Sequence, residues 1–130
     1  MLLDTTLLID FLRGKEEAIN IIRKSQSNPL FTTEINVFEL ITGTYLLENN
    51  IKEHLEKVNA MLSKLIVLEV NRNSAIEAGK IAATLIKEGK KIEETDCLIA
   101  GTALANGIKI IATRNKSHFE RINNIKVLTY

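Results

Sequence analysis

The feature that most constrains this fold is a set of five short apolar segments, separated by stretches whose apolar residues recur at helical spacing. The segments are residues 1–4, 30–32, 65–70, 108–112 and 126–128. Strands that are each followed by a helix pair in parallel, because the helical crossover returns the chain to the same end of the sheet. The pattern therefore predicts an α/β fold with a parallel sheet of about four to five strands.

The intervening stretches are interpreted as amphipathic helices, because apolar residues recur every three or four positions. They are expected at residues 5–12, 16–25, 33–46, 52–64, 75–88, 96–105 and 117–121. The N-caps expected from residue type are Thr5 or Thr6 for the first helix, Asn73 or Ser74 for the fifth, and Thr95 for the sixth. Small residues in the sixth helix allow a neighbouring helix to pack closely.

Length and composition favour one compact domain spanning residues 1–130, with 45% hydrophobic and 25% charged residues. No apolar run approaches the roughly 20 residues that span a bilayer, and the amino terminus lacks the basic region of a signal peptide. With a single cysteine, Cys97, these observations favour a cytoplasmic protein without a membrane partner. The net charge of +1 neither requires nor excludes a nucleic-acid partner, which would need a local basic patch.

Three acidic residues lie in apolar surroundings, where an unpaired charge is costly. Asp4 ends the first segment, Glu39 interrupts an apolar helical face, and Asp96 precedes an apolar stretch at the start of a helix. Asn115 follows the fourth segment. Ligands of open parallel sheets bind beyond the carboxyl ends of the strands. If the fold brings these residues together, a divalent cation would offset the repulsion among the carboxylates.

Each of these residues also has a purely structural interpretation. Asp4 could cap a helix, and Asp96 could be a first-turn acid favoured by the helix dipole. Glu39 could pair with a lysine, and Asn115 is of a type that is common in turns. Spacing by itself leaves these alternatives open.

Four segments of the chain, in order, resemble the VapC-type PIN-domain ribonuclease toxins of toxin–antitoxin pairs. They are LDTTLLIDFLRG at 3–14, VFELITG at 37–43, TDCLIAGTAL at 95–104 and IATRNKSHFERI at 111–122. The resemblance implies a PIN-like three-layer α/β/α sandwich. It also implies a metal-dependent endoribonuclease that uses Mg²⁺ or Mn²⁺.

The resemblance further implies a set of site residues. The implied catalytic residues are Asp4, Glu39, Asp96 and Asn115. The implied direct metal ligands are Asp4 and Asp96, and the supporting hydroxyls are those of Thr5, Thr6 and Thr113. Asn115 departs from the wider PIN pattern, in which many nucleases have aspartate, so the site has three negative charges rather than four.

The partners implied by the resemblance are an RNA substrate, a cognate antitoxin protein and a second copy in a homodimer. The antitoxin would lay an apolar helix in a groove and direct an arginine or lysine to the carboxylates. Candidate RNA contacts flank the motifs, and they are Arg13, Lys15, Arg114, Lys116 and Arg121. The small number of aromatic residues favours a structured RNA recognised by shape over a stacked single strand.

Two alternatives belong to other functional classes. A non-catalytic PIN-like module could use the same fold only to bind RNA or protein, which the missing fourth acid favours and the three remaining acids oppose. A receiver-type signalling domain would need adjacent acids after the first strand, which this chain lacks. Three further residues have structural interpretations: His118 in packing or a turn, His54 in solvent, and Asp10 as a cap or a partner of Arg13.

Overall fold

The computed structural model describes residues 1–130 and contains one sheet of five parallel strands. The strands are β1 Leu2–Leu3, β2 Phe31–Thr33, β3 Ile66–Leu68, β4 Ile110–Ala112 and β5 Lys126–Leu128. Their order across the sheet is β3-β2-β1-β4-β5, and every neighbouring pair is parallel. The predicted α/β fold is confirmed.

Seven helices connect and flank the strands. They are α1 Thr5–Leu12, α2 Glu16–Lys24, α3 Glu34–Tyr45, α4 Ile51–Leu62, α5 Arg72–Lys87, α6 Glu94–Ala105 and α7 Lys116–Phe119. None of them is long and apolar enough to cross a membrane.

The expected N-caps of α1 and α5 are wrong. Helix α1 follows Asp4, so Thr5 and Thr6 lie inside the helix. Helix α5 follows Asn71, whose side chain accepts the backbone N–H of Ser74 at 3.1 Å. Several residues able to cap a helix occur in succession at both places, and the path of the chain into the helix decides which of them does so.

Successive side chains of β1 and β4 point to opposite faces of the sheet, which divides the core into two layers. Leu2 and Ile111 belong to a buried cluster with residues of α5 and α6, whereas Leu3 and Ala112 belong to one with residues of α1, α3 and α4. All four of these strand residues are fully buried. Helices therefore cover both faces of the sheet.

Helices α5 and α6 lie in close contact at Gly101. A Cβ atom at this position would lie 2.5 Å from the backbone nitrogen of Ala78 and 2.7 Å from its Cα atom. Real Cβ atoms do not approach other atoms so closely, so only glycine fits against the backbone of α5. The predicted close packing of the sixth helix is confirmed here.

The direction in which strands are added to the sheet reverses between β1 and β4. The chain runs from β1 outward to β2 and β3, then adds β4 and β5 on the other side of β1. Open α/β sheets bind ligands at such a switch point. Leu3 is aligned with Ala112, so Asp4 and Thr113 leave the two strands side by side. The backbone N–H of Asp4 donates to the Ala112 carbonyl at 3.0 Å, which fixes the start of α1 at this edge.

Candidate active site

Asp4 is 4% exposed and is held by three side-chain donors. Thr113 and Thr6 donate their hydroxyls to Oδ2 at 2.7 and 3.0 Å. Asn36 donates Nδ2 to Oδ1 at 3.3 Å. Asp4 occupies the N-cap position of α1, but its side chain accepts no capping hydrogen bond. The capping interpretation of the side chain is therefore wrong, and residues from α1, α3 and the loop after β4 orient the carboxylate.

Glu39 lies half-buried in α3 and accepts a hydrogen bond from the Thr5 hydroxyl at 2.8 Å. It forms no ion pair, so its interpretation as a lysine partner is wrong. Asn36 donates Nδ2 to both Asp4 and Thr5, which connects the two carboxylates. The position of Asn36 is fixed because it forms a reciprocal capping box with Thr33 at the start of α3.

Asp96 lies in the first turn of α6 and is 6% exposed. This helix follows Glu93, so the expected N-cap Thr95 is wrong and lies within the first turn. His118 Nδ1 donates to Asp96 Oδ2 at 2.6 Å, and Asn115 Nδ2 donates to the same oxygen at 3.3 Å. Because both donors come from the segment after β4, Asp96 does more than complement the helix dipole.

Hydrogen bonds connect the three carboxylates into one network across the β1–β4 switch point. The Thr113 hydroxyl, which donates to Asp4, accepts the backbone N–H of Asn115 at 2.9 Å. Asn115 then donates to Asp96. In the other direction, Asn36 donates to both Asp4 and Thr5, and Thr5 donates to Glu39. The fold thus brings together the four residues predicted to be catalytic and the three hydroxyls predicted to support them.

Burial and mutual repulsion disfavour the charged forms of two of these acids. Burial raises the pKa of the Glu39 carboxyl, and the charges of Asp4 and Asp96 raise it further against the hydrogen bond from Thr5. Burial also raises the pKa of the Asp96 carboxyl; the hydrogen bond from His118 opposes this effect, and the charge of Asp4 adds to it. A cation bound near these acids would therefore stabilise their charged forms.

A further carboxylate, the fully buried Asp10, lies outside this network and is balanced by cations. Lys15 Nζ lies 2.9 Å and Arg114 Nη1 3.1 Å from its Oδ1, and the Tyr130 hydroxyl donates to its Oδ2 at 2.8 Å. The expected pairing with Arg13 is wrong. Burial by itself raises the pKa of Asp10, but these hydrogen bonds and charges hold it below its ordinary value. No carboxylate at the β1–β4 switch point has a lysine or arginine partner.

The sequence matches the family model of the PIN domain over residues 1–125. The chain belongs to the PIN-domain family. Similar relatives include the tRNA(fMet)-specific endonuclease VapC of Salmonella typhimurium, 30% identical over 128 residues that cover 97% of this chain and 94% of the relative. They also include the ribonuclease VapC2 of Haemophilus influenzae, 30% identical over 121 residues that cover 93% of this chain and 90% of the relative.

Solved PIN-domain structures have the same architecture. The DNA-bound VapBC of Salmonella typhimurium matches with a TM-score of 0.88 and 29% identity, over 98% of this chain and 96% of that one. The VapBC2 of Rickettsia felis, bound to a DNA fragment from the promoter, matches with a TM-score of 0.90 and 21% identity, over 99% and 97%. The second likeness shows the fold alone. The predicted three-layer α/β/α arrangement is confirmed.

Of the five basic side chains predicted to contact RNA, four have a partner within this PIN domain. Lys15 and Arg114 are the partners of Asp10 described above. Lys116 pairs with Glu120 at 3.3 Å, and Arg121 donates to two backbone carbonyls in the loop before α6. Arg13 forms no ion pair and lines a cavity of about 330 Å³ together with Glu39. Their contact with RNA stays a prediction.

Two residues that form hydrogen bonds with the carboxylates were not predicted from the sequence. Asn36 follows a threonine N-cap by three residues on a buried helical face, and this capping-box spacing could have revealed it. His118 was interpreted as a packing residue, but it contacts Asp96 from 22 positions away, which no local pattern indicates. His54, expected in solvent, is half-buried, and its Nδ1 lies 2.7 Å from the Thr44 hydroxyl.

The donor set at this site fits a hydrated divalent cation better than a metal enclosed by protein side chains. No three His, Cys, Asp or Glu side chains are arranged to hold a metal ion by themselves. Mg²⁺ keeps several waters and binds through one or two carboxylates plus a substrate phosphate. Asp4 and Asp96 provide two nearly buried carboxylates without a lysine or arginine partner, which is the chemistry that such an ion requires.

Proposed function

We propose that this protein is a metal-dependent endoribonuclease, the toxin of a toxin–antitoxin pair, and that it hydrolyses RNA phosphodiester bonds at the β1–β4 switch point. The observation that carries the proposal is the hydrogen-bonded network of three carboxylates without a lysine or arginine partner. Such a group is costly for folding unless it binds a cation. The names of the relatives, a tRNA-specific endonuclease and a ribonuclease, support this reaction class.

The proposed cofactor is Mg²⁺ or Mn²⁺, with Asp4 and Asp96 as its direct ligands. When bound, the ion would neutralise phosphate charge and lower the pKa of a coordinated water. Asn115 and His118 orient Asp96 through their hydrogen bonds to Oδ2. The raised pKa of Glu39 makes its carboxylate a better proton acceptor than an exposed glutamate, which suits a general base beside the attacked phosphate.

The proposed partners are an RNA substrate, a cognate antitoxin and a second copy of the chain. The solved VapBC complex of Salmonella typhimurium supports the antitoxin. An arginine or lysine of the antitoxin would bind the carboxylates and displace the metal electrostatically. Exposed apolar side chains in α3 and at its C-cap, namely Phe38, Tyr45 and Leu46, support a homodimer. We infer that the protein acts in the cytoplasm, where RNA and antitoxin are both present.

Purified protein is expected to cleave total RNA in Mg²⁺ or Mn²⁺, and to lose this activity in EDTA and in the variant Asp96→Asn. Gel electrophoresis of the RNA measures cleavage, and calorimetric titration with Mg²⁺ measures metal binding separately. Cleavage that survives both controls would indicate a contaminant or a different site. Absence of both cleavage and metal binding would favour the non-catalytic binding module, the second candidate, which the neutral Asn115 favours.

Without metal, the contribution of Glu39 and Asp96 to the free energy of unfolding is expected to fall as the pH rises. Their pKa values are raised above the ordinary 4.5 and 3.8, so the folded state binds these protons more tightly than the unfolded state. Their contribution to stability is therefore largest when both acids are protonated, and it declines as the pH rises from the ordinary pKa values through the raised ones. A bound cation should offset this loss.

Thermal unfolding with and without MgCl₂ tests this expectation. The rise in melting temperature caused by Mg²⁺ should be larger at about pH 8 than at about pH 5. The pKa of Asp10 is lowered, so its contribution to stability changes with pH in the opposite direction. This contribution is the same with and without Mg²⁺, so it does not affect the rise in melting temperature that Mg²⁺ causes. The variant Asp96→Asn should show a smaller Mg²⁺ effect. A stabilisation by Mg²⁺ that is independent of pH would contradict the prediction.

A further inference from the structure

We propose that Asp10 holds Lys15 and Arg114 as a fixed pair of cations, and that this pair binds an RNA phosphate beside the β1–β4 site. The inference rests on the ribonuclease function proposed above and adds a substrate subsite to it. Asp10 is fully buried, whereas the side chains of Lys15 and Arg114 are 44% and 47% exposed. The anion thus lies inside the protein, and both cations reach the surface.

The end of α1 places Lys15 over Asp10. Gly14 has a φ of 76°, a left-handed conformation that favours glycine. The backbone N–H of Lys15 donates to the Asp10 carbonyl at 3.0 Å, and that of Gly14 donates to the Phe11 carbonyl at 3.0 Å, the two bonds of a Schellman motif. Lys15 is therefore tied to Asp10 through its backbone as well as its ammonium group, which limits the positions that the charge can occupy.

Arg114 approaches Asp10 from the loop after β4. Its backbone N–H donates to the Thr6 hydroxyl at 3.0 Å, and its Nη1 donates to the same Oδ1 atom that Lys15 contacts. Sharing one acceptor atom brings the two cations close together, and Asp10 offsets their repulsion. A guanidinium has five N–H donors, and only one of those on Arg114 contacts Asp10, so others remain for a phosphate. Tyr130 donates to Oδ2 and so satisfies the other oxygen of the carboxylate.

The chemistry and position of this group indicate a phosphate of a neighbouring nucleotide. One anion and two cations leave a net positive charge, and guanidinium and ammonium groups are the side chains that contact nucleic-acid phosphates. Asp10 follows Asp4 by six residues of α1, which corresponds to about 9 Å along the helix. A phosphate bound there is not the one at the carboxylates. The pair should therefore contribute to RNA affinity rather than to bond cleavage.

Binding of fluorescein-labelled transfer RNA in EDTA, followed by fluorescence anisotropy, tests this inference. Lys15→Gln and Arg114→Gln each keep a hydrogen-bond donor for Asp10 but remove a positive charge. Each is expected to weaken binding about tenfold, as loss of a charge-assisted hydrogen bond does. Each should also reduce the dependence of log affinity on log salt concentration by about one. Asp10→Asn should weaken binding as well, although it makes the net charge more positive.

One variant serves as a matched control. Lys80→Gln removes an equal charge from α5 and reports the effect of net charge alone. Binding by Asp10→Asn that is as tight as wild type, or an equal loss in Lys80→Gln and Lys15→Gln, would overturn the inference.

Two further controls distinguish a loss of RNA binding from misfolding and from a loss of nuclease activity. Circular dichroism checks each variant, and if Asp10→Asn does not fold, Lys15→Gln and Arg114→Gln decide the question. No detectable binding of transfer RNA by the wild-type protein would also overturn the inference. Because the assay contains no divalent metal, a failure of the proposed metal-dependent cleavage and a failure of the phosphate subsite give distinguishable results.

Discussion

Asp4→Asn is expected to lower the rate of RNA cleavage by about 10³-fold or more while the fold is retained. This loss corresponds to about 4 kcal/mol of transition-state stabilisation, a magnitude suited to removing one of two carboxylates that hold a catalytic cation. The fold should persist because the hydroxyls of Thr6 and Thr113 can accept hydrogen bonds from an asparagine amide, while Asn36 still donates to its oxygen. Initial rates of RNA cleavage in saturating Mg²⁺ measure the effect.

The same variant should lower the pKa values of Glu39 and Asp96, because the charge of Asp4 raises both. Carboxyl titration by NMR in metal-free buffer measures this change. Glu77→Gln on α5 removes one acidic charge without contacting the site, and it should leave cleavage and both pKa values unchanged. Cleavage by Asp4→Asn at the wild-type rate would contradict the proposed role of Asp4. Unchanged pKa values would contradict electrostatic coupling among the carboxylates.

Gly101→Ala is expected to lower the free energy of unfolding by about 3 kcal/mol, which corresponds to a fall of about 10 °C in melting temperature. The new methyl group would lie 2.5 Å from the backbone nitrogen of Ala78 and 2.8 Å from its Cβ atom. Because the backbone of α5 cannot yield as a flexible side chain can, α5 and α6 would have to separate. Chemical denaturation followed by circular dichroism measures the loss.

Gly79→Ala is the matched control for this substitution. Gly79 also lies inside a helix, but a Cβ atom there would have no neighbour within 4 Å. Alanine should therefore stabilise the protein by about 0.5–1 kcal/mol through its higher helix propensity. Equal effects at the two glycines would show that the close contact between α5 and α6 does not determine stability.

The order of strands and helices, and the positions of the acids relative to them, could be predicted from the amino-acid sequence. Apolar periodicity is a local property, so it located the boundaries of all five strands to within two residues. It also placed Asp4 after β1, Glu39 in α3 and Asp96 in the first turn of α6, as the structure has them. The switch point between β1 and β4 then follows only from the order of the strands in the sheet.

The partner of each acid could not be predicted from the sequence, because it depends on how the chain folds in three dimensions. Asp4 and Asp10 lie six residues apart around α1, and both are buried, yet one is held by hydroxyls and an amide and the other by two cations. Their deciding neighbours Thr113, Arg114 and Tyr130 lie 104 to 120 positions away in the chain. Hydrogen bonds and ion pairs act over about 3 Å, so they form only between segments that the fold brings into contact. Local sequence patterns do not indicate which distant segments these are.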